Sequence, residues 1–556
     1  EHCASGCAQR TDTRRGTIMR RLAAVDPNVN EEWNCDKGRF AFRYVDAQDR
    51  LATPMIREDG ALRPASWAEA LDATAAGLRA NRDKTGVITG GRLSVEDALA
   101  YSAFARVALG TNNIDFRARA SSQEEEAFLA AHVAGSGLGP TYADLETAPA
   151  VLLVCLEPED ESPILMLRLR KAMREFGTAV YSVSPTASPG LLRMNGKVVP
   201  TAPGGEPQAL DSMSTAADGP GVMLRAAGSV ILVGERASSL PGTLSAVVRL
   251  AESTGATVGW VPRRAGERGA VEAGLLPSLL PGGRPVADAA ARVDAAAVWG
   301  VPSVQESNGL DLPHMLEAAA KGDLTALVFA GVDPTDVPGD AVAAATRATF
   351  VVVLDTRQHE LADLADVVFP VASSPEKAGT FLNWEGRLRP FDQAIRPTNL
   401  MSDARVLSAI ANELGVTLNS ADLADVRAQL GEFDGWLGAR VGSPSVAAPN
   451  PSTVGAKQLL LHTWQPLING GALQQDEPYF AATGRPAEVA LSDSDATTMG
   501  LADGDLAVVT GDRGALTANV VVADVVTGVA VLSGDRAREL GGKSGDLVTV
   551  TKGGAR

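Results

Sequence analysis

The chain is 556 residues long, carries a formal charge of -17 at pH 7 and is 45% hydrophobic. At about 150 residues per domain, this length predicts three or four packed domains of a globular protein. The acidic balance excludes a broad surface for nucleic acid or anionic lipid, because both partners need clustered Lys and Arg. No apolar run approaches the roughly 18 residues that a membrane span requires, so we expect no direct membrane span.

The N-terminal region concentrates the cysteines. Three of the four lie within the first 35 residues, at Cys3, Cys7 and Cys35. So few cysteines cannot form a disulfide scaffold, and their clustering indicates a reducing compartment and a metal. Thiolates are ligands of iron–sulfur clusters and structural zinc. Gly6 suits a backbone wrapped closely around an inorganic core, which favours a cluster; a zinc knuckle or three unrelated thiols remain as alternatives.

The body of the chain alternates helical and strand patterns. The segment SWAEALDATAAGLRA combines a capping box from Ser66 to Glu69 with periodic apolar residues, which predicts an amphipathic helix. The strand-like GVITG and a second helix, SVEDALAYSAFARVALG, follow. Next, a buried strand containing Cys155 leads to a helix with Ser162 as N-cap, Pro163 at its first turn and Gly177 at its end. This is a β-α-β unit.

The same rhythm continues to the C-terminal region. The segments GSVILVG, ATVGWVP, LTALVFAG, TFVVVLDT and ADVVFPV are separated by helix-compatible stretches, which predicts an α/β fold with parallel sheets flanked by helices. Residues 431–456 are rich in Gly, Pro and Ser and are interpreted as a linker. Residues 457–556 alternate β-branched residues with DGD, GDRG and SGD turns, which predicts a small β-barrel.

The cysteine spacing leads to a family resemblance. Cys3-x3-Cys7-x27-Cys35 closes with CDKGR and resembles the [4Fe–4S] signature at the head of the molybdopterin-oxidoreductase superfamily. The resemblance implies that the three cysteines are metal ligands and that the fourth ligand is a cysteine immediately upstream of Glu1. It places Lys37 between the cluster and the pterin cofactor, with a surface lysine as the alternative. For His2 an ordinary loop histidine is favoured over a ligand.

Further segments carry the resemblance along the chain. They are LLVCLEPEDESP, ERGAVEAGLLP, VFAGVDPTD and, most specifically, ADVVFPVASSPEKAGTFLNWEGRLRP. The resemblance implies a multidomain fold with an N-terminal [4Fe–4S] segment at 1–45, α/β domains at 46–430 and, after the linker, a barrel like the family's dinucleotide-binding domain.

The pterin metal is expected to be missing. In the family's redox enzymes a cysteine or selenocysteine ligand follows a TNNID segment, which this chain has at Thr111–Asp115. Serines stand where that ligand would fall, and Ser121 is the nearest match. The glutamates 124–126 are unsuited to a pocket for an anionic pterin. We therefore expect molybdopterin to be absent.

Within the superfamily, CASGCAQRTDTRRG and NEEWNCDKGRFAF resemble the actinobacterial form of the large iron–sulfur subunits of bacterial NADH:quinone oxidoreductase, respiratory complex I. The resemblance covers essentially the whole chain. It implies an electron-transfer and scaffold subunit without a catalytic site of its own, whose cluster lies off the main electron path. Further clusters are expected on a part upstream of Glu1. The expected partners are the flavin-bearing NADH-binding subunit and the quinone-proximal subunits, on the cytoplasmic side of the plasma membrane.

Two other functions stay open. One is a free-standing molybdopterin-dependent oxidoreductase of the formate dehydrogenase or nitrate reductase type, in which Ser121 or a neighbour binds the metal. The other is an assembly protein whose cysteines hold no cluster. The basic run RTDTRRGTIMRR is interpreted as a solvated face, with docking of an acidic partner as the alternative.

Overall fold

The architecture comes from a computed structural model that describes residues 1–337, 339–396, 398–449, 455 and 457–554. In chain order the strands are β1 (Gln9–Arg14), β2 (Thr17–Ala23), β3 (Met55–Glu58), β4 (Ala61–Pro64), β5 (Thr85–Thr89), β6 (Ile114–Asp115), β7 (Ala150–Val154), β8 (Ala179–Ser184), β9 (Lys197–Pro200), β10 (Val230–Gly234), β11 (Thr257–Val261), β12 (Leu279–Leu280), β13 (Arg284–Pro285), β14 (Ala326–Ala330), β15 (Phe350–Asp355), β16 (Val367–Pro370), β17 (Gly379–Leu382), β18 (Leu388–Phe391), β19 (Gln458–Trp464), β20 (Glu488–Leu491), β21 (Leu506–Thr510), β22 (Ala515–Val522), β23 (Val529–Ser533) and β24 (Leu547–Lys552).

The helices surround these strands. In chain order they are α1 (Asp36–Phe40), α2 (Trp67–Ala80), α3 (Val95–Ala103), α4 (Gln123–Phe128), α5 (Tyr142–Thr147), α6 (Pro158–Glu161), α7 (Pro163–Phe176), α8 (Pro189–Arg193), α9 (Glu206–Thr215), α10 (Gly219–Leu224), α11 (Thr243–Thr254), α12 (Glu267–Glu272), α13 (Ala289–Trp299), α14 (Leu312–Lys321), α15 (Asp340–Arg347), α16 (Glu360–Leu364), α17 (Asp403–Glu413), α18 (Leu423–Glu432), α19 (Pro478–Ala481), α20 (Asp493–Thr498) and α21 (Gly534–Glu539).

A seven-stranded sheet forms the centre of the chain. Its strand order is β4-β3-β16-β15-β14-β5-β6. The run from β16 to β6 is parallel, whereas β3 and β4 are antiparallel additions at one edge. Every residue of β5 and β14 is buried, as expected for parallel strands covered by helices on both faces.

A second sheet is inserted between β6 and β14. It has the order β11-β10-β7-β8-β9, and all its strand pairs are parallel. The predicted β-α-β unit is β7-α7-β8: α7 begins at Pro163 and ends at Gly177, whose φ of 77° terminates the helix. Ser162 is the N-cap residue, but its side chain makes no capping hydrogen bond.

The C-terminal region closes into a six-stranded barrel with the order β19-β23-β20-β22-β21-β24. Its interior is filled by aliphatic side chains such as Leu461, Val489, Val509 and Val550. An interior packed in this way is a small hydrophobic core, as in other closed barrels of few strands.

These elements confirm the α/β fold with parallel sheets, the capping box that begins α2 and the C-terminal barrel. One detail differs: Cys155 is buried, but it follows β7 in a left-handed turn with φ 51° instead of lying inside the strand.

The domain boundaries 1–45, 46–430, 431–456 and 457–556 stay predictions. Part of the predicted linker, 450–454 and 456, lies outside the described residues. No helix in the described part of the chain is long and apolar enough to cross a membrane.

Candidate metal centre

The three N-terminal cysteines come together. Cys3, Cys7 and Cys35 line one cavity of about 470 Å³, together with Lys37 and residues of β17 and β18. Within the described ranges, no group of three or more His, Cys, Asp or Glu side chains is placed to hold a single metal ion. The three predicted ligands, 4 and 28 residues apart along the chain, nevertheless line the same cavity.

The loop between Cys3 and Cys7 is fixed by hydrogen bonds to distant elements. The backbone N–H of Trp384 donates to the carbonyl of Ala4 at 3.0 Å, and the Tyr142 hydroxyl donates to the carbonyl of Ser5 at 3.0 Å. The Ser5 hydroxyl contacts that of Ser162 at 2.8 Å. These partners are buried, so residues of the surrounding domains hold the loop in place.

Gly6 is required by this arrangement. Its φ is 77°, and a Cβ atom at this position would lie 2.5 Å from the Cβ of Asn383. Only glycine combines this backbone conformation with so close an approach. The glycine between the first two thiols thus fits the loop against the GTFLNWEGR block.

Cys35 lies at the beginning of α1. Its backbone is extended, with φ -86° and ψ 167°, and the Gly38 N–H donates to its Sγ at 3.5 Å. N–H donation to a ligating sulfur is one of the ways in which a protein sets the potential of an iron–sulfur centre. A Cβ at Gly38 would collide with the side-chain amide of Gln9 at 2.3 Å, so α1 packs closely on β1.

The thiols lie in a desolvated environment. Burial raises the pKa of the Cys35 thiol to about 11, and burial together with the negative charge of Cys3 raises the pKa of Cys7 well above its ordinary value. Three adjacent thiolates are therefore unfavourable without a cation between them. The donor set fits a thiolate-ligated inorganic cluster, whose iron supplies that positive charge.

Lys37 is buried beside the thiols, with 6% of its surface exposed. Burial lowers its pKa to about 8, and the charge of a Cys3 thiolate acts in the opposite direction. The alternative of a surface lysine is therefore wrong, while its role beside a cluster stays a prediction. His2 is also buried, and its Nε2 lies 2.6 Å from the carbonyl oxygen of Ala41.

A buried network of arginines and carboxylates joins the carboxyl ends of the two parallel sheets. Arg119 pairs with Glu125 at 2.9 Å and with Glu267 at 3.0 Å. Arg263 pairs with Glu235 at 2.8 Å and Asp336 at 2.6 Å. Among the described residues the network contains four arginines and seven carboxylates: Arg117, Arg119, Arg263, Arg264, Asp115, Glu125, Glu126, Glu235, Glu267, Asp333 and Asp336.

This network does not fit a polyanionic pterin dinucleotide. Its carboxylates outnumber its arginines, and each arginine is already paired. Burial alone would lower the pKa of Arg119. The carboxylates of Glu125 and Glu267 outweigh this effect and raise the pKa well above its ordinary value. These guanidinium groups neutralise the protein's own carboxylates and are not spare charges for a ligand.

The three glutamates after Ser121 all have structural partners. Glu124 accepts from the backbone N–H groups of Gly242 and Ser245, each at 2.7 Å. Glu126 accepts from the N–H of Ser278 at 3.2 Å. Ser121 has a buried hydroxyl without a hydrogen-bond partner among the described residues, and it does not line the cysteine cavity.

Two further cavities lie at the carboxyl ends of the sheets. One, of about 760 Å³, separates the five-stranded sheet from the barrel and is lined by Glu157, Glu206 and His462. Burial raises the pKa of both glutamates to about 7 and lowers that of His462 to about 3. The other, of about 230 Å³, lies beside Arg264 and Asp355.

Sequence patterns did not reveal the partners of the cysteine loop or the arginines of the network. The GTFLNWEGR block was recognisable as a specific landmark, but nothing in it indicates that Asn383 and Trp384 contact residues 4–6. Arg263 and Arg264 lie in an ordinary loop after β11, and only the fold brings them to Asp333 and Asp336.

Comparisons with known proteins agree with this geometry. The profile of the molybdopterin oxidoreductase family matches residues 50–415, and that of the NADH-ubiquinone oxidoreductase NDSU1/NuoG-like 4Fe-4S domain matches residues 3–43. The G subunit of the NADH-quinone oxidoreductase of Mycobacterium bovis is 51% identical over 534 residues, which are 94% of this chain and 66% of the relative. That of Streptomyces coelicolor is 49% identical over 550 residues, 93% of this chain and 64% of the relative.

The chain thus spans slightly less than two thirds of the length of these relatives. Among solved structures, acetylene hydratase from Pelobacter acetylenicus matches with a TM-score of 0.63 at 14% identity, over 100% of both chains. At this identity the likeness shows the fold alone.

Proposed function

We propose that this chain, which belongs to the molybdopterin oxidoreductase family, is the iron–sulfur electron-transfer and scaffold part of an NADH:quinone oxidoreductase. The observation that carries the proposal is the cavity shared by Cys3, Cys7 and Cys35, inside the segment that the NuoG-like 4Fe-4S profile matches. The relatives from Mycobacterium bovis and Streptomyces coelicolor support the same assignment.

In this proposal Cys3, Cys7 and Cys35 hold a [4Fe–4S] cluster, with a fourth ligand upstream of Glu1. The cluster supplies one-electron chemistry when bound. The chain's own residues determine its environment: the Gly38 N–H donates to Cys35, and the buried Lys37 adds a positive charge. Desolvation, hydrogen bonds to sulfur and nearby charge are the means by which proteins set cluster potentials.

The remaining domains act as a scaffold. The arginines of the network are paired with the protein's own carboxylates and leave no spare positive charge for a pterin phosphate, so no step of the proposed function uses molybdopterin. Hydride transfer from NADH belongs to a flavin-bearing partner subunit, and quinone reduction to quinone-proximal partners. The chain would lie in the peripheral arm, on the cytoplasmic side of the bacterial plasma membrane.

Metal analysis of the full-length protein in its native complex tests the proposal. Iron, acid-labile sulfide, molybdenum and tungsten are measured for the parent, for Cys7→Ala and for Cys155→Ala, together with low-temperature EPR of dithionite-reduced samples. Cys155 is buried and does not line the cavity shared by Cys3, Cys7 and Cys35, so it provides the matched control. We expect Cys7→Ala to lose about four iron atoms per chain and one [4Fe–4S] signal, while Cys155→Ala retains both.

Two results would overturn the proposal. Stoichiometric molybdenum or tungsten in the parent would identify a pterin enzyme. Equal iron content and equal EPR spectra in the parent and Cys7→Ala would show that the cysteines bind no cluster. Copurification of the parent with NADH:quinone oxidoreductase activity tests the partner assignment separately.

A further inference from the structure

The hairpin formed by β1 and β2 carries concentrated positive charge on an acidic chain. Arg10 and Arg20 are 61% and 63% exposed, and Arg14 and Arg15 lie exposed at its tip. The whole chain has a formal charge of -17. Exposed like charges repel one another, so their clustering here does not help the hairpin to fold.

The tip has an unusual residue for its conformation. Arg15 has φ 53° and Gly16 has φ 83°, so two left-handed residues connect the strands. Turns of this kind prefer Asn, Asp or Gly at the first position, because a larger side chain is strained there. A strained residue in an exposed turn is a reason to look for a function of its side chain.

A β-bulge in β2 turns the Met19 side chain outward. Asp12 pairs with Arg20 and Thr13 with Ile18, which leaves Met19 without a cross-strand partner. Ile18, in the second residue pair from the turn, is buried, whereas Met19 is 57% exposed beside Arg20. Bulges commonly re-aim side chains in this way, and here the bulge places a flexible apolar group beside the arginines.

The charges at the tip are not neutralised locally. Asp12 accepts from Arg10 at 3.0 Å and from Arg20 at 2.7 Å. Within the described ranges, no ion pair involves Arg14 or Arg15. These two guanidinium groups therefore remain available for bidentate contacts with carboxylates of another molecule.

We propose that the tip of this hairpin, with Arg14, Arg15 and Met19, docks on an acidic patch of a partner protein. The inference rests on the proposed function, in that the partner is a neighbouring subunit of the same complex. A protein partner is favoured over a membrane or nucleic acid because the overall charge of -17 repels extended polyanions. Contacts between the hairpin tip and a nearby acidic patch are less affected by this overall charge, because salt screens charges more than about 8 Å away.

Charge reversal in the native complex tests the proposal. R14E/R15E is compared with R82E/K84E, which reverses two exposed cations in the short 3-10 helix Arg82–Lys84 elsewhere on the surface. Retention of the chain in the purified complex is measured as salt is raised. We expect R14E/R15E to dissociate at a clearly lower salt concentration than the parent, with unchanged iron content, while R82E/K84E behaves as the parent does.

R15G separates docking from folding. Glycine relieves the left-handed strain, so the variant should melt no lower than the parent and yet dissociate at a lower salt concentration. A photoreactive amino acid at Met19 identifies the contact: a sequenced cross-link to an acidic segment of a protein supports the proposal. Cross-links to lipid or nucleic acid alone, or parent-like retention of both R14E/R15E and R15G, would overturn it.

The failure of the two proposals can be distinguished. If the parent chain does not copurify with NADH:quinone oxidoreductase, the proposed function fails. A cross-link from Met19 to an acidic protein of another complex would still support the docking role of the hairpin. Copurification of the parent without any effect of the tip variants would instead remove the docking proposal alone.

Discussion

Gly6 and Asn383 are in direct contact, and a Cβ atom added to Gly6 would lie 2.5 Å from the Cβ of Asn383. The contact joins the cysteine loop to the segment between β17 and β18. The nearby Asn383 amide donates to the carbonyl of Ser5 at 3.5 Å across 378 residues of sequence. The geometry of the three thiols therefore depends on the central domains.

Gly6→Ala tests this dependence. The substitution adds both left-handed strain, about 1 kcal/mol, and a collision with Asn383, so we expect lower iron content and a less stable cysteine loop. Gly16→Ala is the matched control because Gly16 has φ 83° but no atom within 4 Å of the added Cβ. Iron analysis and thermal melting of both variants give the comparison; equal iron loss in the two would show that the collision does not matter.

Lys37→Met should lower the reduction potential of the proposed cluster. A buried ammonium beside the thiolates stabilises the more negative, reduced state, and its removal should shift the midpoint by tens of millivolts, on the order expected for one partly screened charge. EPR-monitored redox titration measures the shift. Lys197→Met, at an exposed position on β9, should leave the potential unchanged. A Lys37→Met midpoint equal to the parent's would remove Lys37 from the cluster environment.

Arg119→Met should strongly destabilise the central domains. The substitution removes the arginine partner of the buried Glu267 and one of the two arginine partners of Glu125, and breaking a buried pair typically costs about 3–5 kcal/mol. Arg249→Met is the matched control, because the Arg249–Asp211 pair is about 40% exposed and such pairs contribute roughly 0–1 kcal/mol. Urea and thermal unfolding measure both. A small effect of Arg119→Met would mean that the network is not important for stability.

Glu206→Gln should change how stability depends on pH. Burial raises the pKa of Glu206 from about 4.5 to about 7, so between these values the folded chain binds more protons than the unfolded chain. The free energy of unfolding therefore falls by about 1.4 kcal/mol per pH unit as pH rises between these two pKa values, and it stays lower at higher pH. Glutamine can still accept from the Gly204 N–H.

We therefore expect Glu206→Gln to match the parent near pH 5 and to be more stable by about 2–3 kcal/mol at pH 8. Glu317→Gln, an exposed glutamate on α14, serves as the control and should leave the pH profile of unfolding unchanged. Thermal melts at the two pH values provide the measurement. Parallel profiles for the parent and Glu206→Gln would contradict the prediction.

Local patterns predicted the elements of this fold well, since each depends on neighbouring residues. The capping box at Ser66, the Pro163 start and the Gly177 end of α7 all act within one or two turns. The contacts that build the site are not local. Nothing near Lys37 in the sequence indicates its burial, because Arg264 and the cysteine loop reach it only through the fold.

The bulge at Met19 and the ion pairs of Arg263 were missed for the same reason. A single unpaired residue in a hairpin has no periodicity that a pattern could detect, and charged residues in a loop are ordinarily solvent-exposed. The family resemblance supplied the cysteine ligands and the expected loss of the pterin, whereas it could not show that an arginine–carboxylate network joins the two sheets.

The insertion of the five-stranded sheet between β6 and β14 determines the order in which parts of the protein can be completed during synthesis. That sheet is formed by one continuous stretch and can fold as soon as β11 has left the ribosome, whereas β5 must wait for β14. The cysteine loop waits longer still, for Asn383 and Trp384. For the proposed cluster, we therefore expect delivery of iron and sulfide to these thiols to be a late event in biogenesis, after translation has passed β17.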